Sequence, residues 1–302
     1  MSDIMDSVVN KTINCLDKGH VTLVDVMPRN VPEGKTADYA IVQAARVSYG
    51  DGTKTVNEDR GLIRYLLRHQ HTTPLEMVTL KFHCKMPIFV CRQWARHRMS
   101  STNEISGRYS VMKDEFYFPQ ASDLRSQSQN NKQGGDGTID EITANYSAGK
   151  ITNDCNSAYD FYEYMIHAGV SREQARMVLP LNLYTEFYWK IDLHNLFHFL
   201  ALRADSHAQK EIRVYAEAII DILRQIVPVA LEAWEDYHPM RGAIKLTRLE
   251  TEALKSYIQK FQSFAHTEFQ HVVSDNKREQ SEWIEKAKIL GINVPPTKQN
   301  EA

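Results

Sequence analysis

The sequence predicts an α+β protein, an antiparallel sheet with flanking helices followed by a helical C-terminal half. Three observations predict it. The first hundred residues alternate strand-like and helix-like signals. From Asp154 onward, helical patterns dominate. No internal repeat breaks the chain of 302 residues into modules, so one core shared by both halves is expected.

The elements follow in order. Val21 to Met27 (VTLVDVM) is β-branched and stops at Pro28, which reads as a strand. Asp38 to Val47 reads as a helix with an acidic start. Asn57 to Arg68 places Leu62, Tyr65 and Leu66 on one helical face. Val78, Leu80, Phe82, Cys84 and Met86 alternate with polar residues, the period-two pattern of a half-buried strand. Pro87 then opens a short helix, PIFVCRQWAR. Residues 121–153 hold SQSQNNKQGGDG and few large apolar side chains, and read as a mobile surface insertion. Segments 154–168, 171–178, 192–203 and 206–236 read as helices, and 276–290 as a helix stopped by Gly291. Residues 1–240 are expected to form a single domain, and 241–302 a helical extension.

Composition narrows the function. Thirty-six Lys and Arg against 38 Asp and Glu leave a net charge of −2, which argues against a protein built to coat nucleic acid or anionic membrane. Cys15, Cys84, Cys91 and Cys155 form no C-x-x-C pair, so neither a disulfide framework nor a Cys-rich metal site is expected. The N-terminus lacks the basic start and apolar run of a signal peptide, and no apolar run approaches a membrane span. A cytoplasmic protein is expected. The 12 histidines are about twice ordinary usage.

Two segments concentrate chemistry. In RQWARHRMSSTNEISGRYS, Arg92, Arg96, Arg98 and Arg108 face one acid, Glu104, giving a local charge of about +3. Arg92 and Arg96 are expected to share a helix face. Planar guanidinium forks, short hydroxyl donors and Gly107 suit an anionic, planar, hydrogen-bonding ligand such as a nucleotide. A solvated basic loop and an RNA-binding patch are the alternatives. The second segment runs from Ser171 to Arg213. His194 and His198 stand at i, i+4 and raise the question of a metal, but Asn195 occupies the position where a zinc hydrolase carries its glutamate base. Packing within a helical core is the other reading of these histidines. Arg203, His207 and Lys210 are expected on a second polar helix face.

The first segment resembles the signature of the flavin-dependent thymidylate synthases, R-H-R-x-x-S-x-N-E-x-S-x-R-Y. Arg96, His97, Arg98, Ser101, Asn103, Glu104, Ser106, Arg108 and Tyr109 fill every fixed position. QARMVLPLNLYTEFYW, LHNLFHFLALRADSHAQKEIR and RHQHTTPLEM, with His71, Thr73 and Glu76, resemble further family elements. The likeness covers about residues 20–118 and 154–238. It implies the family's own α/β-type fold and a homotetramer whose sites are shared between subunits. It implies reductive methylation of deoxyuridylate (dUMP) to dTMP, with methylenetetrahydrofolate as carbon donor, FAD as reductant and NADPH as the source of electrons. No cysteine nucleophile and no metal are expected. Gln93, Trp94, Ala95, Arg96, Glu104, Ile105, Ser106, Gly107, Arg108, Arg176 and Arg203 match its dUMP contacts, and Arg203 is expected to act on the uracil. Ser48, His71, Thr73, Arg96, His97, Arg98, Glu104, Asp192, Leu193, His194 and His198 match its FAD contacts. There is no G-x-G-x-x-G after a strand, so no Rossmann unit is expected.

Overall fold

A computed structural model describes residues 3–47, 56–128, 134–238, 247–264, 284 and 286–292. Five antiparallel strands form the main sheet, in the order β1 (Thr12–Cys15), β2 (Gly19–Met27), β3 (Thr79–Pro87), β7 (Tyr184–Asp192) and β4 (Ser101–Glu104). The strand read in LKFHCKM is β3, and it pairs in unbroken register with β7, from Thr79 opposite Asp192 to Pro87 opposite Tyr184. β7 is a correction, because it lies in the half expected to be helical. Its Phe187, Trp189 and Ile191 are buried, while Tyr188 and Lys190 are exposed, a period-two alternation its letters already carry.

The sheet has one apolar and one polar face. Val21, Leu23, Leu80, Phe82, Cys84, Phe187, Trp189 and Ile191 are buried in the main core. Lys81, His83, Glu186, Tyr188 and Lys190 line the other face, where His83 stacks on Tyr188 at 5.0 Å. Helix α7 (Leu193–Arg203) packs against β7, and α8 (Lys210–Ile226) against β1, β2, α4 (Ile88–Trp94) and α1 (Asp3–Val8). Helices α2 (Asp38–Arg46) and α3 (Val56–Arg68) and a 3-10 turn over Thr73–Met77 complete this side.

The helix expected over 206–236 begins at Lys210 and breaks at Val227 and Pro228, where α9 (Pro228–Tyr237) starts. Proline has no N–H to continue a helix but suits the first turn of a new one. Arg203 is the last residue of α7 and Lys210 the first of α8, so Arg203, His207 and Lys210 share no helix face. Likewise α4 ends at Trp94, so Arg96 does not continue the face of Arg92.

The region 121–153 holds more order than expected. A two-residue pairing joins β5 (Ser126–Gln127) to β6 (Gly135–Asp136), with 129–133 outside the described residues. Helix α5 runs Glu141–His167, starting thirteen residues before the expected 154, and Asp140 caps it by accepting the Thr143 N–H at 2.9 Å. Its Cys155, Tyr159 and Tyr162 join Met112, Phe116 and Leu183 in a second core. Tyr159 donates to the Met112 carbonyl at 2.8 Å, and the Tyr162 hydroxyl accepts the Met112 N–H at 3.0 Å.

The chain divides into two compact units, 1–241 and 242–302. Within the second, α10 spans Arg248–Phe264. Of the helix expected over 276–290, residues 284 and 286–290 are described and helical. Gly291 ends it at φ +78°, with its own N–H on the Lys288 carbonyl and the Ile292 N–H on that of Ala287, a Schellman closure.

Candidate active site

The segment after α4 leaves the sheet edge and turns back as β4, paired with β7. This turn carries Arg96, His97 and Arg98. The C-terminal end of α7 brings Arg203 to it across the chain. Arg203 Nε donates to His97 Nε2 at 3.0 Å, and Arg203 Nη2 donates to the Gln93 carbonyl at 3.2 Å. A cavity of about 450 Å³ opens here, lined by Arg96, His97, Arg98, Met99, Ile191, Asn195, His198, Leu202 and Arg203. Its volume is within the ~300–1,000 Å³ range of small-molecule sites.

The electrostatics are one-sided. Among the described residues, no carboxylate pairs with Arg92, Arg96 or Arg98, and all three are exposed. Burial, with the Arg203 and His198 charges adding to it, pushes His97 down to about 4, so its ring is neutral at physiological pH. Burial also lowers Arg203 from its ordinary value. The His97 ring meets His198 at 5.9 Å and the buried Phe199 at 4.9 Å, both edge-on.

A second, smaller cavity of about 260 Å³ lies against the same turn, lined by Cys91, Trp94, Ala95, His97, Arg98, Ser100, Thr102, Glu104, Phe187 and Trp189. The indole nitrogens of Trp94 and Trp189 are buried with no hydrogen-bond partner among the described residues. Glu104 Oε1 accepts from the buried Thr185 hydroxyl at 2.6 Å, which ties this motif carboxylate to β7.

The remaining motif residues form a separate cluster. Arg108 pairs with Glu173 at 3.3 Å, and Arg176 Nε donates to the Glu173 carbonyl at 3.4 Å. Ser106 takes the Tyr109 and Ser110 N–H groups on its carbonyl, making the turn. A methyl on Gly107 would stand 3.1 Å from Met112 Sδ and 3.3 Å from Arg176 Cδ, so glycine permits this approach. Neither Arg108 nor Arg176 lines the Arg203 cavity.

Other expected residues take varied places. The Trp94 and Leu193 side chains are buried in the core, Trp94 beside the 260 Å³ cavity. Asp192 is the N-cap of α7: it accepts the Asn195 N–H at 2.9 Å and the Asn195 amide at 2.7 Å. His194 is half-buried, and Ala95 and Ile105 are exposed. His71 and Thr73 stand at the start of the 3-10 turn, outside the 450 Å³ cavity. Ser48 lies outside the described residues. Sequence reasoning did not assign Asn195 or Leu202 to the site, although both lie in the family-like segment LHNLFHFLALR, three residues before and four after His198, a helical spacing that could have found them. Among the described residues, no three His, Cys, Asp or Glu side chains gather as a metal site requires.

The thiols are poor nucleophiles. Burial pushes Cys15 and Cys91 up to about 12 and Cys84 well above the ordinary thiol value. The thiolate, the reactive form, is therefore negligible at neutral pH.

Fold and site together present an arginine-lined cavity, built on a sheet edge and a helix end, whose lining suits an anionic, planar, hydrogen-bonding ligand. A model of the family described as thymidylate synthase complementing protein matches residues 23–229. The flavin-dependent thymidylate synthase of Dictyostelium discoideum is 50% identical over 292 residues, 97% of this chain and 91% of that protein. The one from Thermus thermophilus is 55% identical over 247 residues, 82% of this chain and 86% of that protein. The crystal structure of a UMP/dUMP methylase, PolB, from Streptomyces cacaoi, bound with 5-Br dUMP, superposes with a TM-score of 0.66 at 31% identity, covering 76% of this chain and all of that one. The chain belongs to the flavin-dependent thymidylate synthase family.

Proposed function

We propose that this chain methylates dUMP to dTMP, taking the carbon from methylenetetrahydrofolate and the electrons from FAD that NADPH has reduced. The observation that carries the reading is a set of three guanidinium groups, those of Arg96, Arg98 and Arg203, none paired with a described carboxylate. They stand on one cavity whose titratable rings are His97 and His198. Cations without a carboxylate partner beside a small-molecule cavity suit phosphate and the polar edge of a pyrimidine.

The donor set fits a flavin dinucleotide. Arg96 and Arg98 supply charge for its phosphates, and His97 and His198 supply flat edges for a ring system. His71, Thr73, Asp192, His194 and Ser48 would complete its hold. When bound, the flavin supplies the hydride and the folate the carbon. The chain's own residues bind and orient. Arg108, Arg176, Ser106 and Gln93 hold the nucleotide's phosphate and sugar. Arg203 faces the uracil and stabilises negative charge developing on its N3–C4–O4 edge, an electrostatic contribution of several kcal/mol in a site poor in water. The raised thiols support a route with no cysteine nucleophile.

Arg108 and Arg176 lie in a cluster of their own, apart from the Arg203 cavity, which supports a site completed by a second subunit. Met99, Ile105, Tyr109, Met177 and Leu202 are exposed apolar residues on these same segments, as an assembly interface requires. The reading is thus of a homotetramer working in the cytoplasm. No described helix is long and apolar enough to cross a membrane. The test is dTMP formation from dUMP, methylenetetrahydrofolate, NADPH and FAD, omitting each in turn. Product formed without flavin, or none with the full set, overturns the reading.

A further inference from the structure

The contact between Arg203 and His97 joins the uracil-facing arginine to a residue expected to hold flavin. A guanidinium carries five N–H donors and no acceptor. Arg203 spends two of them, both on one edge, on His97 Nε2 and the Gln93 carbonyl. Five minus two leaves three, and these include the whole of Nη1. The used edge, Nε and Nη2, is tied to the protein, and Arg203 lines the 450 Å³ cavity. We infer that His97 is the positioning residue for Arg203, accepting its Nε–H so that the free end of the fork is aimed at the pyrimidine.

Two consequences follow from the chemistry of that bond. An arginine nitrogen only donates, so His97 Nε2 is the acceptor and its ring proton resides on Nδ1. A protonated imidazole has no acceptor and would set two cations 3.0 Å apart. Burial and the neighbouring Arg203 hold His97 neutral, as the bond requires. The ring is itself held: its edge-on packing on Phe199, a fully buried residue of α7, fixes its plane. Gln93, whose carbonyl takes the second donor, is anchored by its amide on Gln209 Oε1 at 2.5 Å. The arginine fork is therefore fixed from two sides by α4 and the turn that follows it. A lysine at 203 has no such edge to fix.

The inference rests on the proposed uracil role of Arg203, and the experiment separates the two. The FAD-loaded protein labelled with 15N-histidine is examined by NMR, and dUMP affinity is measured by calorimetry for wild type, His97→Phe, His97→Gln, Arg203→Ala and the His97→Phe/Arg203→Ala double variant. Circular dichroism and flavin absorbance confirm that each is folded and loaded. The expected results are a neutral His97 protonated on Nδ1, and a dUMP Kd raised about ten- to a hundredfold in His97→Phe, the worth of one hydrogen bond to a charged group. Glutamine, whose side-chain oxygen accepts, restores affinity to within about threefold. The double variant binds no worse than Arg203→Ala alone, because His97 acts through Arg203. A His97 protonated on Nε2, a glutamine variant as weak as phenylalanine, or effects that multiply in the double variant each overturn the inference. If Arg203→Ala binds dUMP normally and turns over, the uracil role falls instead, while the NMR tautomer still judges the His97–Arg203 bond.

Discussion

Asp38 is the first residue of α2 and is only 6% exposed, yet it serves another helix. Its Oδ2 accepts the Val229 N–H at 2.9 Å and its Oδ1 the Ala230 N–H at 3.0 Å, in the first turn of α9, where N–H groups lack intrahelical partners. Burial raises its carboxyl from 3.8 to about 6 against the lowering effect of these bonds and of Thr36. A raised folded value means the folded state holds its proton longer. The linked stability is present in full below 3.8 and is lost as pH rises through 6. Two pH units or so correspond to about 3 kcal/mol in all, of which about 1.4 kcal/mol falls between pH 5 and 8. Asp38→Asn cannot ionise. The wild-type stability minus that of Asp38→Asn, from urea unfolding at fixed protein concentration, should therefore fall by about 1.4 kcal/mol from pH 5 to pH 8. Asp38→Ala orphans both N–H groups and should cost about 2–4 kcal/mol at pH 7. Parallel curves for wild type and Asp38→Asn across that range would refute the argument, because the carboxyl would then be ionised throughout.

Arg203→Ala should lower kcat/KM for dTMP formation by about 10²–10³, the range for losing one charge-stabilising donor, while bound-flavin absorbance is unchanged; near-normal turnover removes its uracil role. A methyl at Gly19 would meet the Tyr215 hydroxyl and stand 2.8 Å from the Cys15 and Lys85 carbonyls, so Gly19→Ala should lower stability by about 1–3 kcal/mol, read as a drop in Tm. Replacing all four cysteines with alanine should cost about 1 kcal/mol for each buried sulfur yet leave product formation intact; a folded, flavin-loaded variant that makes no dTMP would show that a thiol takes part.

The central strands were written in the letters. β3 alternates cleanly, and β7 does so too, through Phe187, Trp189 and Ile191, although its setting among helices hid it. β4 could not be read. Its four residues, Ser101 to Glu104, are all polar and exposed, and they are a strand only because β7 offers them hydrogen bonds. Asp38 shows a subtler limit. Its letter suggests the cap of its own helix, but Ala37 holds that place and the carboxylate caps α9, some 190 residues away. In the candidate site, the motif marked Arg96, His97 and Arg98 as candidates by type and spacing, and Arg203 came only from the resemblance of a second segment. That Arg203 bonds His97 across 106 positions is a property of the folded chain alone. That Arg108 and Arg176 gather elsewhere around Glu173 is equally invisible in one dimension.

His97 and Arg98 belong to the walls of both the 450 Å³ and the 260 Å³ cavities. The two chambers are thus separated by little more than one turn of chain, and the smaller is walled by the indoles of Trp94 and Trp189, whose rings meet at 4.9 Å. Those indoles form a native optical probe seated behind a shared partition. An occupant that displaces His97 from the larger chamber is expected to change the surroundings of Trp94 and Trp189 in the smaller, and substituting the other two tryptophans, Trp234 and Trp283, would isolate their emission as a label-free reading of the site.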